Sequence, residues 1–422
     1  MRANLTPDIA LAQRLFDALR EQTFDGVGIT REAYGRGEQI AHALVRAEAE
    51  ALGLTVENDA AGNLLMTLPG TDRAGKRVVL GSHLDSVPQG GNFDGAAGVL
   101  TGLAAVAGMQ RAGFTPTRDI TVLAVRAEEA GAWFPTSYPG SHAALGRLPA
   151  AALEVRRQDS GRTLAEHMRE AGFDPDAVRA GKSLLGAHNV AAYLELHIEQ
   201  GPVLEAEQLP VGIVTGVPGS RRLRAARVLG EYNHSGATPR RYRADAAIAL
   251  AELAHLLDEH WLMLEARGHA LVCTFCVLAT TEAAGFTKIA GEARFQLDVR
   301  SVEPASVDAI FAELHRLVAR IEARRGVRFD LGAETGSVAS PMDAGVQAGL
   351  ARAAAGLGIG YRTMASGAGH DAAAFAQAGI PAGMLFVRNQ NGSHNPDEAM
   401  EMDDFELAVR VLNRGVADLC LA

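Results

Sequence analysis

Cysteine is scarce in this chain: three in 422 residues, too few for a disulfide scaffold. Cys273 and Cys276 form a CxxC pair. The run Leu271–Leu278 around them reads as a buried strand, without a second pair or a redox-type helix behind it. Low cysteine usage fits a reducing compartment. The opening MRANLTPDIALAQRLFDALREQ is broken by Asp and Arg and has no signal-type apolar core. Both features point to a cytoplasmic protein. Long hydrophobic runs are missing: the most apolar stretch, Ala96–Gly108, is too short and glycine-rich to span a bilayer. Positive charge is also in deficit. Forty Lys+Arg stand against fifty Asp+Glu, a formal net charge of −10, which argues against the basic footprint of a nucleic-acid binder. There are no internal repeats, heptads or low-complexity tracts.

What is present is ordinary globular material. Hydrophobic residues make up 48% and charged residues 21%, which excludes wholesale disorder. The length suggests two or three domains. Through the first half, helix and strand patterns alternate, the signature of α/β architecture. Ile9–Arg20, Gly37–Leu52 and Ala96–Arg111 read as helices. Val78–Leu80, Ile120–Val125 and Ala191–Ile198 read as buried strands, and each stops at polar residues. From about Val214 to Phe329 the texture changes to strand–helix–strand–strand–helix–strand, with strands at Leu223–Tyr232, Leu271–Leu278 and Ala293–Ser301 and helices at Ala244–Arg267 and Val307–Arg325. Helical and strand patterns then resume at Asp343–Gly356 and Gly383–Val387. The simplest organisation is one α/β domain, residues 1–213 and 330–422, interrupted by a smaller α+β sandwich, residues 214–329.

The residues that carry chemistry sit just past the predicted strands, where ligand groups gather in open α/β sheets. His83 and Asp85 lie in GSHLDSVPQGGNFDG, with Asp94 following among glycines. An HxD pair on a strand shares one face, so Asp85 could orient the His83 ring and raise its basicity. Glu128 and Glu129 follow Ile120–Val125; adjacent carboxylates after a buried strand are costly without a compensating cation or proton. His197 stands in LELHIEQGP and His394 in NGSHNPDE. Taken singly, each has an unremarkable reading, a solvated loop or a hydrogen-bonded core histidine. Together they offer three histidines and two or more carboxylates at one sheet edge. That is a mixed donor set suited to zinc, with manganese, cobalt and nickel as alternatives. A shared carboxylate with a spare Glu beside it describes a two-metal hydrolytic site.

GSHLDSVPQGGNFDG, ELHIEQGPVLE, HSGATPRRYRADA, SGAGHDAAAFA and GSHNPDE, in that order, resemble the di-zinc amidohydrolase superfamily of aminoacylases and carboxypeptidase G-like enzymes. Within it they resemble the hydantoinase/carbamoylase branch, which holds N-carbamoyl-L-amino-acid hydrolases, β-ureidopropionases and allantoate amidohydrolases. ELHIEQGP is specific to that branch. The resemblance implies a zinc-exopeptidase-like catalytic domain, with a mixed sheet flanked by helices, and an inserted lid that pairs two chains into a homodimer. It implies two divalent ions, with Asp94 bridging, His83 and His197 completing one site and Glu129 and His394 the other. Glu128 would be the general base, and Asp85, holding the His83 ring, is counted with it among the catalytic residues. His234 would polarise the scissile carbonyl of the partner subunit's substrate, and Arg300 would grip a substrate carboxylate. Gln200, Thr287, Gly367 and His370 fall at substrate-contacting positions, His370 being equally readable as structural.

Three departures stand out. After the glutamates the chain reads EEAGAWF, one residue longer than the usual pattern, with Trp133 in place of an arginine. Thr287 in TKIAG replaces a usual Asn, and Arg240 in TPR replaces a Met. Arg240 reads either as solvent-facing beside Arg241 or as reshaping the pocket mouth for an anionic group. The expected reaction is hydrolysis of the linear C–N bond of an N-carbamoyl or related N-acyl amino acid, a small carboxylate-bearing substrate. An aminoacylase- or dipeptidase-like activity and a non-catalytic binding protein on the same scaffold are the alternatives.

Overall fold

In the computed structural model, residues 5–129 and 131–421 are described. The chain divides into two compact units, residues 1–215 with 342–422, and residues 216–341.

The larger unit is built on one eight-stranded mixed sheet. Its order across is Thr55–Asn58, Leu64–Leu68, Ile120–Val125, Arg77–His83, Val190–Ile198, Ala382–Val387, Val211–Val214 and Tyr361–Met364. The four neighbours from Ile120–Val125 to Ala382–Val387 run parallel to one another. Their carboxyl ends therefore open on a single edge. Pairing along that edge is in register: His83 lies opposite Val125, and His197 opposite Phe386. These strands are buried on both faces, which is why they read as continuous apolar runs.

Helices cover the sheet. Ala96–Arg111 is apolar on nearly all sides and lies within the main core, because its glycines let it approach the sheet closely. A Cβ at Gly98 would meet the Leu196 carbonyl at 2.4 Å and the Ser82 side chain at 2.6 Å. The amphipathic helices Ile9–Thr23 and Met402–Leu421 bury their apolar stripes in the same core. Helix starts follow capping chemistry: the Asp343 carboxylate accepts the Val346 N–H at 2.9 Å, opening Ala344–Leu357. No described helix is long and apolar enough to cross a membrane.

The smaller unit is an antiparallel sheet, ordered Val272–Thr280, Glu292–Ser301, Gly219–Leu229 and Arg328–Asp330, with Glu334–Ser337 also pairing on Gly219–Leu229. Helices Ala246–Ala266 and Pro304–Arg325 pack on it around their own core. The unit extends to Pro341, past the residue 329 read from sequence, because Glu334–Ser337 adds to its sheet and Ser340–Pro341 pairs with Gly216–Val217.

One expectation needs correction here. Val272–Thr280 is not a buried strand: among the described residues it has a single neighbour, Glu292–Ser301, and most of its residues are exposed. Cys273 is buried and Cys276 exposed; both are free, as is Cys420.

Candidate active site

Each parallel strand delivers its polar residues to the common edge. His83 is the last residue of its strand. Its Nδ1 donates to the Asp85 carbonyl at 3.0 Å, which leaves Nε2 facing Asp94 Oδ1 at 3.7 Å and Glu128 Oε2 at 3.8 Å. His197 is fixed in the same manner: Nδ1 donates to the Ile198 carbonyl at 2.9 Å and Nε2 points at Asp94 Oδ1, 3.1 Å away. His394 Nε2 lies 3.2 Å from Asp94 Oδ2 and 3.2 Å from Glu129 Oε1. Asp94 thus turns one carboxylate oxygen to His83 and His197 and the other to His394.

The Asp94 loop is held from several directions. Gly95, with φ +66°, turns the chain directly over His83, where a Cβ would lie 2.3 Å from the ring. Gln200 Nε2 and Ser393 Oγ each stand 2.8 Å from Asp94 Oδ2. Glu398 accepts the backbone N–H groups of Phe93 and Asp94, and its Oε2 is 2.6 Å from Ser393 Oγ. The fully buried Arg31 donates to the carbonyls of Leu84 and Asp94 and to Asn92 Oδ1.

Asp85 does more than orient a ring. Its two oxygens accept the backbone N–H groups of Glu128 and Glu129, both at 3.0 Å, and Oδ1 lies 3.4 Å from His83 Nδ1. One carboxylate therefore ties together the ends of two neighbouring strands.

The electrostatics are those of a buried anionic cluster. Burial pushes the Glu128 carboxyl well above its usual range, and proximity to Glu129 and Asp371 adds to this against the pull of His83. Burial also raises Glu129. Asp94 is driven the other way: burial opposes ionisation, but hydrogen bonds from His197 and His394 hold it well below its usual value. His394, bonded to Asp94 and Glu129, is pushed up to about 11. His83 and His197 are raised in spite of burial, chiefly by the carboxylates of Asp85 and Asp94 respectively.

This donor set suits divalent cations. His83, Asp94 and His197 form one group whose ligand atoms lie within 4.8 Å of one another, and Asp94, Glu129 and His394 form a second. Asp94 is common to both. The mixed imidazole and carboxylate chemistry matches zinc-type ions. Among the described residues the buried Gln200 Oε1 has no hydrogen-bond partner, while its Nε2 donates to Asp94. Two further groupings, His83 with Glu128 and Glu129, and Glu195 with His197 and His370, reuse some of these donors: His83 and Glu129 in the first, His197 in the second.

His370 is buried, with Nε2 2.9 Å from Ser366 Oγ and its ring edge-on to His197 at 4.5 Å between centroids. Burial and nearby His197 hold its pKa well below normal. Gly367, in the same loop, has open space where a Cβ would stand. His234, Thr287 and Arg300 belong to the smaller unit and are described within it. The Thr287 carbonyl accepts the Ser235 N–H at 3.0 Å, beside His234. His234 Nδ1 accepts the N–H groups of Gly236 and Ala237, at 3.1 and 3.0 Å. That pattern leaves the proton of the neutral ring on Nε2, and the side chain is exposed. Arg300 pairs with Asp298 at 2.8 Å. Trp133 is buried and donates from Nε1 to the Ser86 carbonyl at 2.8 Å, so this departure packs the Asp85 loop.

Sequence reasoning passed over Ser393, Glu398, Glu195 and Arg31. The first two lie inside GSHNPDE, and Glu195 shares a strand face with His197, so their signals were present. Arg31 is a lone loop arginine without a local pattern.

Residues 79–418 match the model of peptidase family M20/M25/M40. The chain belongs to that family. The M20 chain is 37% identical, over 93% of both chains, to the N-carbamoyl-L-amino acid amidohydrolase of Geobacillus stearothermophilus. It is 31% identical, over 91% of both, to the allantoate amidohydrolase of Bacillus subtilis (strain 168). Among solved structures, a hydantoinase/carbamoylase family amidase from Burkholderia ambifaria superposes with a TM-score of 0.87 at 33% identity, covering 99% of this chain and 98% of the other. Within M20, this chain falls among the hydantoinase/carbamoylase amidases, which are metal-dependent hydrolases of carbon–nitrogen bonds.

Proposed function

We propose that this M20 hydrolase cleaves the linear amide C–N bond of an N-carbamoyl amino acid or a closely related ureido acid. One observation carries the reading: Asp94 directs its two oxygens to two separate donor groups, with the buried Glu128 alongside. The names of the relatives, N-carbamoyl-L-amino acid and allantoate amidohydrolases, support the substrate class.

His83, His197 and Asp94 would hold one divalent ion, and Glu129, His394 and Asp94 a second; zinc is the ion proposed. When bound, such ions supply Lewis acidity, which polarises a carbonyl and makes water acidic enough to attack near neutral pH. Glu128 takes a proton from the attacking water and returns it to the leaving nitrogen. Its raised pKa suits a group that must hold that proton between the two steps. His234, protonated on Nε2, donates to the developing oxyanion. Arg300 engages the substrate carboxylate through its planar fork, and Gln200, Thr287, Gly367 and His370 shape the surroundings. For an N-carbamoyl substrate, one water is consumed and a free amino acid, carbon dioxide and ammonia are released.

The active form proposed is a cytoplasmic homodimer joined through the smaller unit. The exposed edge of Val272–Thr280 supports pairing there, and three free cysteines suit a reducing compartment. The deciding experiment is an ammonia-release screen of the metal-loaded enzyme with N-carbamoyl-α- and β-amino acids, allantoate, ureidoglycolate and N-acetyl amino acids. Release from a ureido acid is expected. Cleavage of N-acetyl amino acids alone would replace the carbamoylase reading with an aminoacylase.

A further inference from the structure

The smaller unit contains a cavity of about 870 Å³ that holds none of the metal-site residues. It is walled by the loop carrying Arg240, Arg241, Tyr242 and Arg243 and by Arg324 and Arg325 at the end of helix Pro304–Arg325. Five arginines therefore line one cavity in a protein whose net charge is −10. The nearby acidic groups do not balance them. Glu231 lines the cavity, and a single carboxylate, Glu252, serves both Arg324 and Arg325.

The arginines differ in how far the fold itself accounts for them. Arg324 and Arg325 complement a helix carboxyl end. Arg243 is locked by the carbonyls of Thr238 and Ser235, at 2.8 and 2.6 Å. Arg240 and Arg241 lie on a short 3₁₀ turn, away from any helix end that would favour cations. Among the described residues neither has a carboxylate partner, and Arg241 instead lies over the Tyr242 ring at 4.7 Å. Several arginines elsewhere in this unit are ion-paired, among them Arg221 with Glu334, Arg222 with Asp298 and Arg227 with Asp330. An anion seated between these side chains would offset their mutual repulsion.

We propose that this cavity binds a phosphate-bearing small molecule of the nucleoside di- or triphosphate class. Guanidinium forks match phosphate oxygens bidentately, and adjoining phosphates carry enough charge to satisfy several forks together. The exposed Tyr242 ring, with Arg241 over one face, offers an aromatic surface for a base to stack against. The volume lies within the range of small-molecule sites, about 300–1,000 Å³.

The test titrates the metal-loaded full-length enzyme with inorganic pyrophosphate, ATP and citrate by calorimetry, in parallel with the Arg240→Ala/Arg241→Ala double variant. Both substituted residues are exposed and unpaired, so folding is not at stake. Saturable binding of pyrophosphate and ATP is expected, weakened at least ~10-fold in the double variant, the lower end for loss of a charge-assisted hydrogen bond. Tyr242→Ala should weaken ATP and spare pyrophosphate. Chelation at the metal centre acts alike on both proteins, so equal heats from wild type and double variant would overturn the proposal. So would the absence of saturable binding, and citrate binding as tightly as pyrophosphate would overturn the phosphate assignment.

Discussion

The Glu38 carboxylate accepts the backbone N–H of Ala127 at 2.9 Å, and this bond sets the turn that presents Glu128 and Glu129. Ala127 has φ 57°, a left-handed conformation that alanine adopts only under constraint. The same carboxylate accepts the Tyr34 N–H at 2.7 Å and pairs with Arg126 at 2.8 Å, all of it buried. Arg126 in turn donates to the Gly62 carbonyl and to Gln39, and lies over the Phe173 ring. Glu38→Ala strands the Arg126 charge in the interior and frees the turn. The expected cost is about 3–5 kcal/mol of stability, measured by denaturant unfolding, together with lower turnover in the fraction that remains folded. An unchanged midpoint would show that the turn holds itself.

Glu128→Gln keeps the shape of the side chain and removes its basicity. Turnover should fall by about a hundredfold or more, while metal content measured by elemental analysis stays at the wild-type level. Near-normal turnover would assign the proton transfer to another group.

Metal removal should abolish ammonia release, and zinc, manganese or cobalt should restore it. His394→Ala should then lose the ion shared with Glu129 and retain the one shared with His83 and His197. Two ions bound per chain in that variant would count against the assignment of His394.

His234→Ala and Glu128→Gln chains should each be nearly inactive alone. If His234 serves a partner's site, co-expressed or refolded mixtures regain part of the activity, because one hybrid arrangement contains an intact pair. Mixtures that stay inactive at every ratio would confine His234 to its own chain.

Thiol chemistry offers a pH-based check on the CxxC pair. Burial pushes the Cys273 and Cys420 thiols up to about 12. A raised thiol pKa shrinks the reactive thiolate fraction at every pH below it. At pH 8, alkylation of the native enzyme followed by mass spectrometry should therefore spare Cys273 and Cys420 and mark Cys276 wherever the edge strand is uncovered. Rapid labelling of Cys273 would revive a redox role for the pair.

Much of this architecture is legible in the sequence because its strands are apolar on both faces and its donors follow them directly. Ile120–Val125 and Ala96–Arg111 stand where the periodicity puts them. Val272–Thr280 misled for a physical reason: a hydrophobic strand at a sheet edge has the same composition as a central one. The side chains that steady the site were harder to see. Glu38 and Arg31 act on backbone groups far away in sequence, and such bonds leave no local spacing to detect. The arginine cavity likewise joins the Arg240–Arg243 loop, noticeable in sequence for its arginines, to a helix end more than eighty residues further along the chain, and that juxtaposition leaves no local pattern.

The four parallel strands that end on one edge have a thermodynamic consequence. Asp94 and His394 are drawn together across 300 positions of chain, with the whole smaller unit intervening. The donor pair exists only once Ala382–Val387 has taken its place beside Val190–Ile198. Cation affinity is therefore coupled to completion of the sheet. An ion present at about a hundred times its Kd adds ~2.7 kcal/mol to unfolding. Chelation should accordingly lower the melting temperature of the larger unit as well as silence it, and a chain truncated before residue 382 should bind cations weakly, however much of its amino-terminal half is folded.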